Sequence, residues 1–284
     1  CPTAVASTTP SRASRVSASG GSACFDRARM LLAIDVGNTQ THLGMFREQE
    51  LVEHWRFATV RDATADELAT VLVGLLALRG LSLEDVTGTI VSSVVPQLSH
   101  EYGQVGERYL DDKLQVIGPG VKTGIPIRTE NPHETGPDRL VNAVAAYDRV
   151  GAACVVVDFG TTINYDIVSA DGELLGAIFT PGVEISIQAL AQRTARLPPI
   201  EIEAPSELIG RTTVAAIRSG IVYGFAGQVD AIVGRLREEM GDEITAIATG
   251  GLAHTIVPFC DQIDETDDLL TLTGLRLIWE RNRS

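Results

Sequence analysis

The sequence predicts an α/β protein made of two like halves, and three observations lead there. The apolar run Leu31-Leu32-Ala33-Ile34 ends in Asp35-Val36-Gly37-Asn38-Thr39, the pattern of a buried strand entering a tight turn. Further along, Cys154-Val155-Val156-Val157 ends in Asp158-Phe159-Gly160-Thr161 in the same way. Each run is followed by strand-like segments and amphipathic helices in a loosely repeated order. One such turn is ordinary hairpin chemistry. Two of them, each with an aspartate at the strand tip and small residues after it, suggest a duplicated domain holding a phosphate between its halves.

The first half begins at Met30 with the strand that carries Asp35. Residues 41–46 and 51–57 alternate as second and third strands around the turn Glu48-Gln49-Glu50. Thr64-Ala65-Asp66-Glu67 is a capping box, and Leu68, Val71, Leu72, Leu75 and Leu76 form one face of the helix it opens. A strand over 89–94, a helix from Pro96 to about Leu110 and a strand over 114–117 follow. Residues 136–150 read as a helix able to bridge the halves.

In the second half, 153–157, 164–169 and 173–179 are expected strands, with Asp171-Gly172 as a hairpin turn. A helix from Val183 to about Ala195, a loop with Pro198, Pro199 and Pro205, and a long helix over 213–240 come next. A strand over 243–248, the turn Thr249-Gly250-Gly251 and a closing helix over 268–280 complete the chain. The expected organisation is a leader over 1–29, a first lobe over 30–135 and a second lobe over 136–284.

Composition narrows the function. The chain has 284 residues, 44% of them hydrophobic, enough for a substantial core, and no apolar run reaches membrane-span length. Net charge is −14; four arginines against Asp26 leave residues 1–29 at +3 and the remainder at −17. That argues against nucleic acid as a partner, while magnesium and backbone donors still allow an acidic protein to hold a nucleotide. The leader is rich in Ser, Ala and Thr, a composition that defaults to disorder or a non-native leader. Cys1, Cys24, Cys154 and Cys260 have no paired spacing, which points to a reducing, cytoplasmic setting without membrane association. The five histidines show no metal-ligand spacing.

Outside the two turns, Gly136-Pro137-Asp138-Arg139 is the most pointed constellation. Asp138 and Arg139 fall in the first turn of a helix, where the macrodipole favours an anion. They read either as ordinary helix charges or as a proton acceptor and a substrate-placing group, and spacing alone favours the former. Gly250-Gly251 permits close backbone approach to a ligand, or is a plain turn.

Taken together, Asp35-x-Gly37-Asn38-Thr39, Asn131-Pro132-x-Glu134-x-Gly136-x-Asp138-Arg139-x-x-Asn142, Asp158-x-Gly160-Thr161 and Thr249-Gly250-Gly251 resemble type III pantothenate kinase. That family belongs to the acetate and sugar kinase/Hsc70/actin superfamily. The resemblance runs from Met30 onward, with all four motifs in order. It implies duplicated ribonuclease H-like (actin-like ATPase) domains with mixed central sheets flanked by helices. It also implies ATP-dependent phosphorylation of pantothenate to 4′-phosphopantothenate, the first step of coenzyme A biosynthesis, by a homodimer whose substrate sites are completed near the subunit interface.

By the family's pattern, Asp35, Val36, Gly37, Asn38, Thr39, Gln40, Thr41 and His42 would line the ATP phosphates, with Asp35 on magnesium through water. Thr161 would contact the nucleotide. Asp158 would hold a monovalent cation, potassium or ammonium. Thr129, Gly136, Pro137, Asp138, Arg139 and Thr213 would hold pantothenate, with Asp138 as the general base. The chain departs from the pattern at Ile163 and Asn164, where hydroxyls are usual, at Thr129 for Tyr and at Pro137 for Ala. The first two motivate a second expectation, a weakened member with a binding or regulatory role. A third is a kinase of another small hydroxy acid.

Overall fold

A computed structural model describes residues 30–111, 113–193, 200–241 and 243–283, with only the backbone of Arg193. The leader, the expected helix end near Ala195 and the prolines Pro198 and Pro199 lie outside the described residues.

In the first half the chain runs β1 (Met30–Val36), β2 (Gln40–Arg47), β3 (Glu50–Ala58), α1 (Ala65–Ala77), β4 (Val86–Ser93), α2 (Pro96–Tyr109) and β5 (Leu114–Val116). In the second it runs α3 (Pro137–Val150), β6 (Cys154–Phe159), β7 (Thr162–Val168), β8 (Leu174–Pro181), α4 (Val183–Arg193) and α5 (Thr213–Met240). It closes with β9 (Thr245–Thr249), α6 (Ala253–Ile256), β10 (Glu265–Thr266) and α7 (Leu270–Arg283). The two five-stranded sheets are ordered β3-β2-β1-β4-β5 and β8-β7-β6-β9-β10. In both, the first three strands form an antiparallel meander and the last two add in parallel. This is the duplicated α/β fold expected from the two turns.

Local chemistry explains the elements. Thr64 accepts from the Glu67 backbone N–H while Glu67 Oε2 accepts from the Thr64 N–H at 2.8 Å, so the expected capping box starts α1. Thr212 does the same for α5 by accepting from Ala215 N–H at 3.1 Å. Pro137 opens α3, a position at which the missing N–H has no intrahelical partner to lose.

Strand alternation sorts the side chains into layers. Leu32, Ile34 and Val36 of β1 face α1 and α2, whereas Leu31 and Ala33 face inward. In β6, Val155, Val157 and Phe159 face α5, whereas Cys154 and Val156 face inward. Between the two inward faces lie α3 and α7, which join both sheets into one central core. The closing helix therefore rests on the first half's sheet as well as on α3. Two glycines permit that approach. A Cβ at Gly88 of β4 would fall 2.1 Å from the Trp279 ring, and one at Gly274 would fall 2.2 Å from the Val141 carbonyl oxygen of α3.

Candidate functional site

The same parity that builds the core builds the cleft. Asp35 follows Leu31 and Ala33 on the inward face of β1, and Asp158 follows Cys154 and Val156 on that of β6. Both sit at the ends of their strands and line a single cleft of about 230 Å³ between the sheets. Their neighbours correspond. Asp35 stands beside Ser92 and opposite His42, and Asp158 beside Thr249 and opposite Asn164. Each turn closes on a glycine N–H, Gly37 to the Gln40 carbonyl at 3.0 Å and Gly160 to the Thr162 carbonyl at 3.1 Å. The turns meet across the cleft, with Thr39 Oγ1 and Thr161 Oγ1 3.2 Å apart.

Asp138, in the first turn of α3, faces the same cleft. The three half-buried carboxylates act on one another. Burial first, then the charges of Asp138 and Asp158, push Asp35 up to about 8. Burial, then Asp138 and Asp166, push Asp158 up to about 7, opposed by the Asn142 amide, whose Nδ2 donates to Asp158 Oδ2 at 3.4 Å. Burial also raises Asp138, opposed by the N–H groups and charge of the helix start and Arg139. Asn142 is itself held by Thr271 of α7, whose hydroxyl donates to its Oδ1 at 2.7 Å. His42 is pushed down to about 4 by burial, then by Arg56 and His54, so it is neutral at physiological pH.

Of the residues singled out in the sequence, Asp35, Gly37, Asn38, Thr39, Gln40, His42, Asp138, Asp158 and Thr161 come together on the cleft wall. Val36 and Thr41 do not present side chains there. Both are buried behind it, Thr41 hydrogen-bonded to the Thr59 hydroxyl at 2.8 Å. Gly136, Pro137 and Arg139 flank Asp138 at the start of α3. Arg139 is bound to Asp166 of β7, Nε to Oδ1 at 2.6 Å, with the side chains 11% and 0% exposed, and its guanidinium lies over the Phe179 ring. Thr129 is half-buried beside the β8 edge, its hydroxyl buried without a partner, and Thr213 is exposed at the start of α5; neither lines the cleft.

Residues without an assigned role also shape the site. Arg56, Asn164, Glu184 and Thr271 line the cleft, and Asp166 anchors Arg139. The signal for Asp166 and Asn164 is parity, since both alternate with the core residues Ile163, Tyr165 and Ile167 of β7. Ile163 is wholly buried among these core residues and does not reach the cleft, so of the two departures in this turn only Asn164 touches it. Asn164 Oδ1 accepts from the Thr162 hydroxyl at 2.7 Å. Gly250 holds φ at +96°, and a Cβ there would fall 2.5 Å from Asp158 Oδ1. Only a glycine lets this turn pass so close to the carboxylate.

The donor set suits a hydrated cation shared with phosphate. Oδ1 of Asp35 and Oδ1 of Asp138 are buried and without a partner. Among the described residues no cluster of three acidic, His or Cys side chains forms an all-protein metal cage. Magnesium held by one or two carboxylates, waters and phosphate oxygens needs no such cage.

The family model for type III pantothenate kinase matches residues 31–235. The type III pantothenate kinase of Moorella thermoacetica is 49% identical over 253 residues, covering 89% of this chain and 100% of its own. That of Streptomyces coelicolor is 48% identical over 263 residues, covering 90% and 99%. Among solved structures, a putative 2-dehydro-3-deoxygalactonokinase from Sinorhizobium meliloti aligns with a TM-score of 0.58 at 16% identity, over 88% of this chain and 96% of that one. The activator of 2-hydroxyisocaproyl-CoA dehydratase from Clostridium difficile aligns at 0.53 and 13% identity, over 89% and 97%. At these identities the structural likeness speaks to the fold alone, and it is the actin-like one.

Proposed function

Because the chain belongs to the type III pantothenate kinase family, we propose that it transfers the terminal phosphoryl group of ATP to the hydroxyl of pantothenate, giving 4′-phosphopantothenate. The observation that carries this is the meeting of Asp138 with the two turn aspartates in one cleft. Phosphoryl transfer needs positioning and charge neutralisation more than covalent help. The cleft is arranged for both.

In this assignment the first turn, Asp35 to His42, holds the ATP phosphates through backbone N–H groups and the side chains of Asn38, Thr39 and Gln40, while Thr161 contacts the nucleotide from the second turn. Val36 and Thr41 contribute backbone only, their side chains being turned into the core. Asp35 would hold magnesium through its water shell, and the ion would supply positive charge against the phosphates. Asp158 takes potassium or ammonium, a hard-oxygen role in which the cation's charge would offset the repulsion from Asp138 and Asp166.

Asp138 accepts the proton of the pantothenate hydroxyl as that oxygen attacks. Its burial brings it toward the range in which a carboxylate is an effective base. Gly136 and Pro137 set the helix start so that Asp138 faces the cleft. Arg139, pinned by Asp166, retains a buried Nη2 with no partner, a donor available to the substrate. Pro137 in place of Ala leaves this start intact.

We assign Thr129 and Thr213 to the pantothenate site as completed in a homodimer. Support comes from the apolar side chains exposed near them: Ile178 and Phe179 on β8, Ile185 on α4, and Leu208 and Ile209 just before α5. An exposed apolar surface of this kind is what a second copy covers. The buried position of Ile163 removes one of the two grounds for a weakened, non-catalytic member; Asn164 is the other.

The test is an assay of the purified protein with ATP, magnesium and pantothenate, with and without potassium, identifying phosphopantothenate by mass. Potassium-dependent product supports the assignment and Asp158 as the cation ligand. A folded dimer that yields no product at millimolar ATP would overturn it.

A further inference from the structure

The charge balance of the cleft leaves one role unassigned. Its described lining includes four carboxylates, Asp35, Asp138, Asp158 and Glu184, and a single arginine or lysine, Arg56. A nucleotide brings several further negative charges into that space, and bound cations offset only part of them. Arg56 belongs to β3, directly opposite His42, which in turn stands opposite Asp35, so all three share the inward face of the first sheet.

The guanidinium is also the group that spans the cleft. A Cβ built on Gly251, in the second half's glycine turn, would lie 3.5 Å from Arg56 Nη1. Arg139 has Asp166, but Arg56 is exposed and has no hydrogen bond or ion pair to any described residue. The neighbouring His42 is neutral and adds no positive charge. A planar donor fork free to bind, aimed across an acidic cleft at a turn without side chains, fits a phosphate group.

We propose that Arg56 binds the polyphosphate of the nucleotide, clamping it from the first lobe against the Gly250–Gly251 turn of the second. This rests on the kinase reading for the identity of the ligand, but the clamp is testable by binding alone. Arg56→Gln removes the charge and keeps much of the bulk. Calorimetric titration with magnesium-ATP should then give a dissociation constant raised about 10- to 100-fold, the worth of a charged hydrogen-bonding partner. Arg56→Lys should recover part of it, since a point charge replaces a bidentate fork. The melting temperature without nucleotide should match the unmutated protein, as the side chain has no partner to lose. In steady state the KM for ATP should rise and that for pantothenate stay.

If Arg56→Gln binds magnesium-ATP as tightly as the unmutated protein, or raises the KM for pantothenate alone, the clamp is overturned. The two readings fail separately. A protein that binds ATP through Arg56 but makes no phosphopantothenate refutes the kinase assignment and keeps the clamp. Product formed by Arg56→Gln with an unchanged KM for ATP refutes the clamp and keeps the assignment.

Discussion

Asp166 and Arg139 form a buried pair whose two ends should respond unequally to mutation. The carboxylate is fully buried and the guanidinium nearly so, 2.6 Å apart, with Oδ2 of one and Nη2 of the other unpartnered. Asp166→Ala strands an arginine that cannot shed its proton, and breaking a buried pair in this way costs about 3–5 kcal/mol. For a chain of this size, at about 2 °C per kcal/mol, that lowers Tm by roughly 6–10 °C. Arg139→Ala leaves a carboxylate that can escape by protonating. Burial has already pushed Asp166 up to about 6 with Arg139 opposing the shift, so without Arg139 it rises further and is neutral at pH 7. The loss is then the hydrogen bond and the Phe179 stack, about 1–3 kcal/mol.

The sign of the pH dependence follows from linkage. A carboxyl raised in the folded state binds its proton more tightly there than in the unfolded chain, so its contribution is present at low pH and lost as pH climbs through the folded value. In Arg139→Ala that value lies higher than about 6, and its extra loss of stability falls between pH 6 and 8. Urea unfolding of both variants and the unmutated protein at pH 5, 7 and 8 measures all of this. Arg139→Ala proving more destabilising than Asp166→Ala at pH 7, or both costing under about 1 kcal/mol, would refute the reasoning.

Other outcomes are expected from the same geometry. Asp138→Asn should abolish phosphopantothenate formation while leaving Tm unchanged or slightly raised, since it removes a buried charge that repels Asp35 and Asp158; a retained rate, read by product mass, would exclude it as the base. Ile163→Thr should cost about 1–3 kcal/mol, because it buries a hydroxyl in an apolar core, and should leave the KM for ATP unchanged. With no added metal, Asp35, Asp158 and Asp166 have folded values of about 8, 7 and 6, all above the ordinary 3.8. Stability should therefore fall as pH rises from about 4 to 8, and magnesium with potassium should raise Tm more at pH 8 than at pH 5, as thermal melts would record.

Much of this was legible from the chain because period-2 alternation is a local property. The alternation of β1 and β6 carries the strands, their inward faces and the aspartates at their tips together, and the capping box of Thr64 and Glu67 marks α1 within a residue. The long helix α5 begins and ends where its apolar spacing does. What stayed hidden depends on partners distant in sequence. Asp166 is one acid inside a strand, and only the folded chain brings Arg139 to it. Ile163 reads as a lost hydroxyl until its neighbours Phe159 and Tyr165 show which face it occupies. The strand β10 is two residues long, too short for any periodicity, and is held by parallel pairing to β9. Arg56 gives no signal in an ordinary alternating strand.

The seat of α7 has a consequence for synthesis. The first half's sheet is complete in sequence at Val116, but α7, the second of the two helices over its inner face, begins at Leu270. Roughly 150 residues separate them, which at about 5–20 residues per second is a wait of about 10–30 s on the ribosome. During that interval the hollow at Gly88 lacks Trp279, and Leu31, Phe46 and Ile90 lack the α7 side of their cluster. A nascent chain that stops short of Leu270 therefore leaves part of this apolar face open, the kind of transiently exposed surface that chaperones bind.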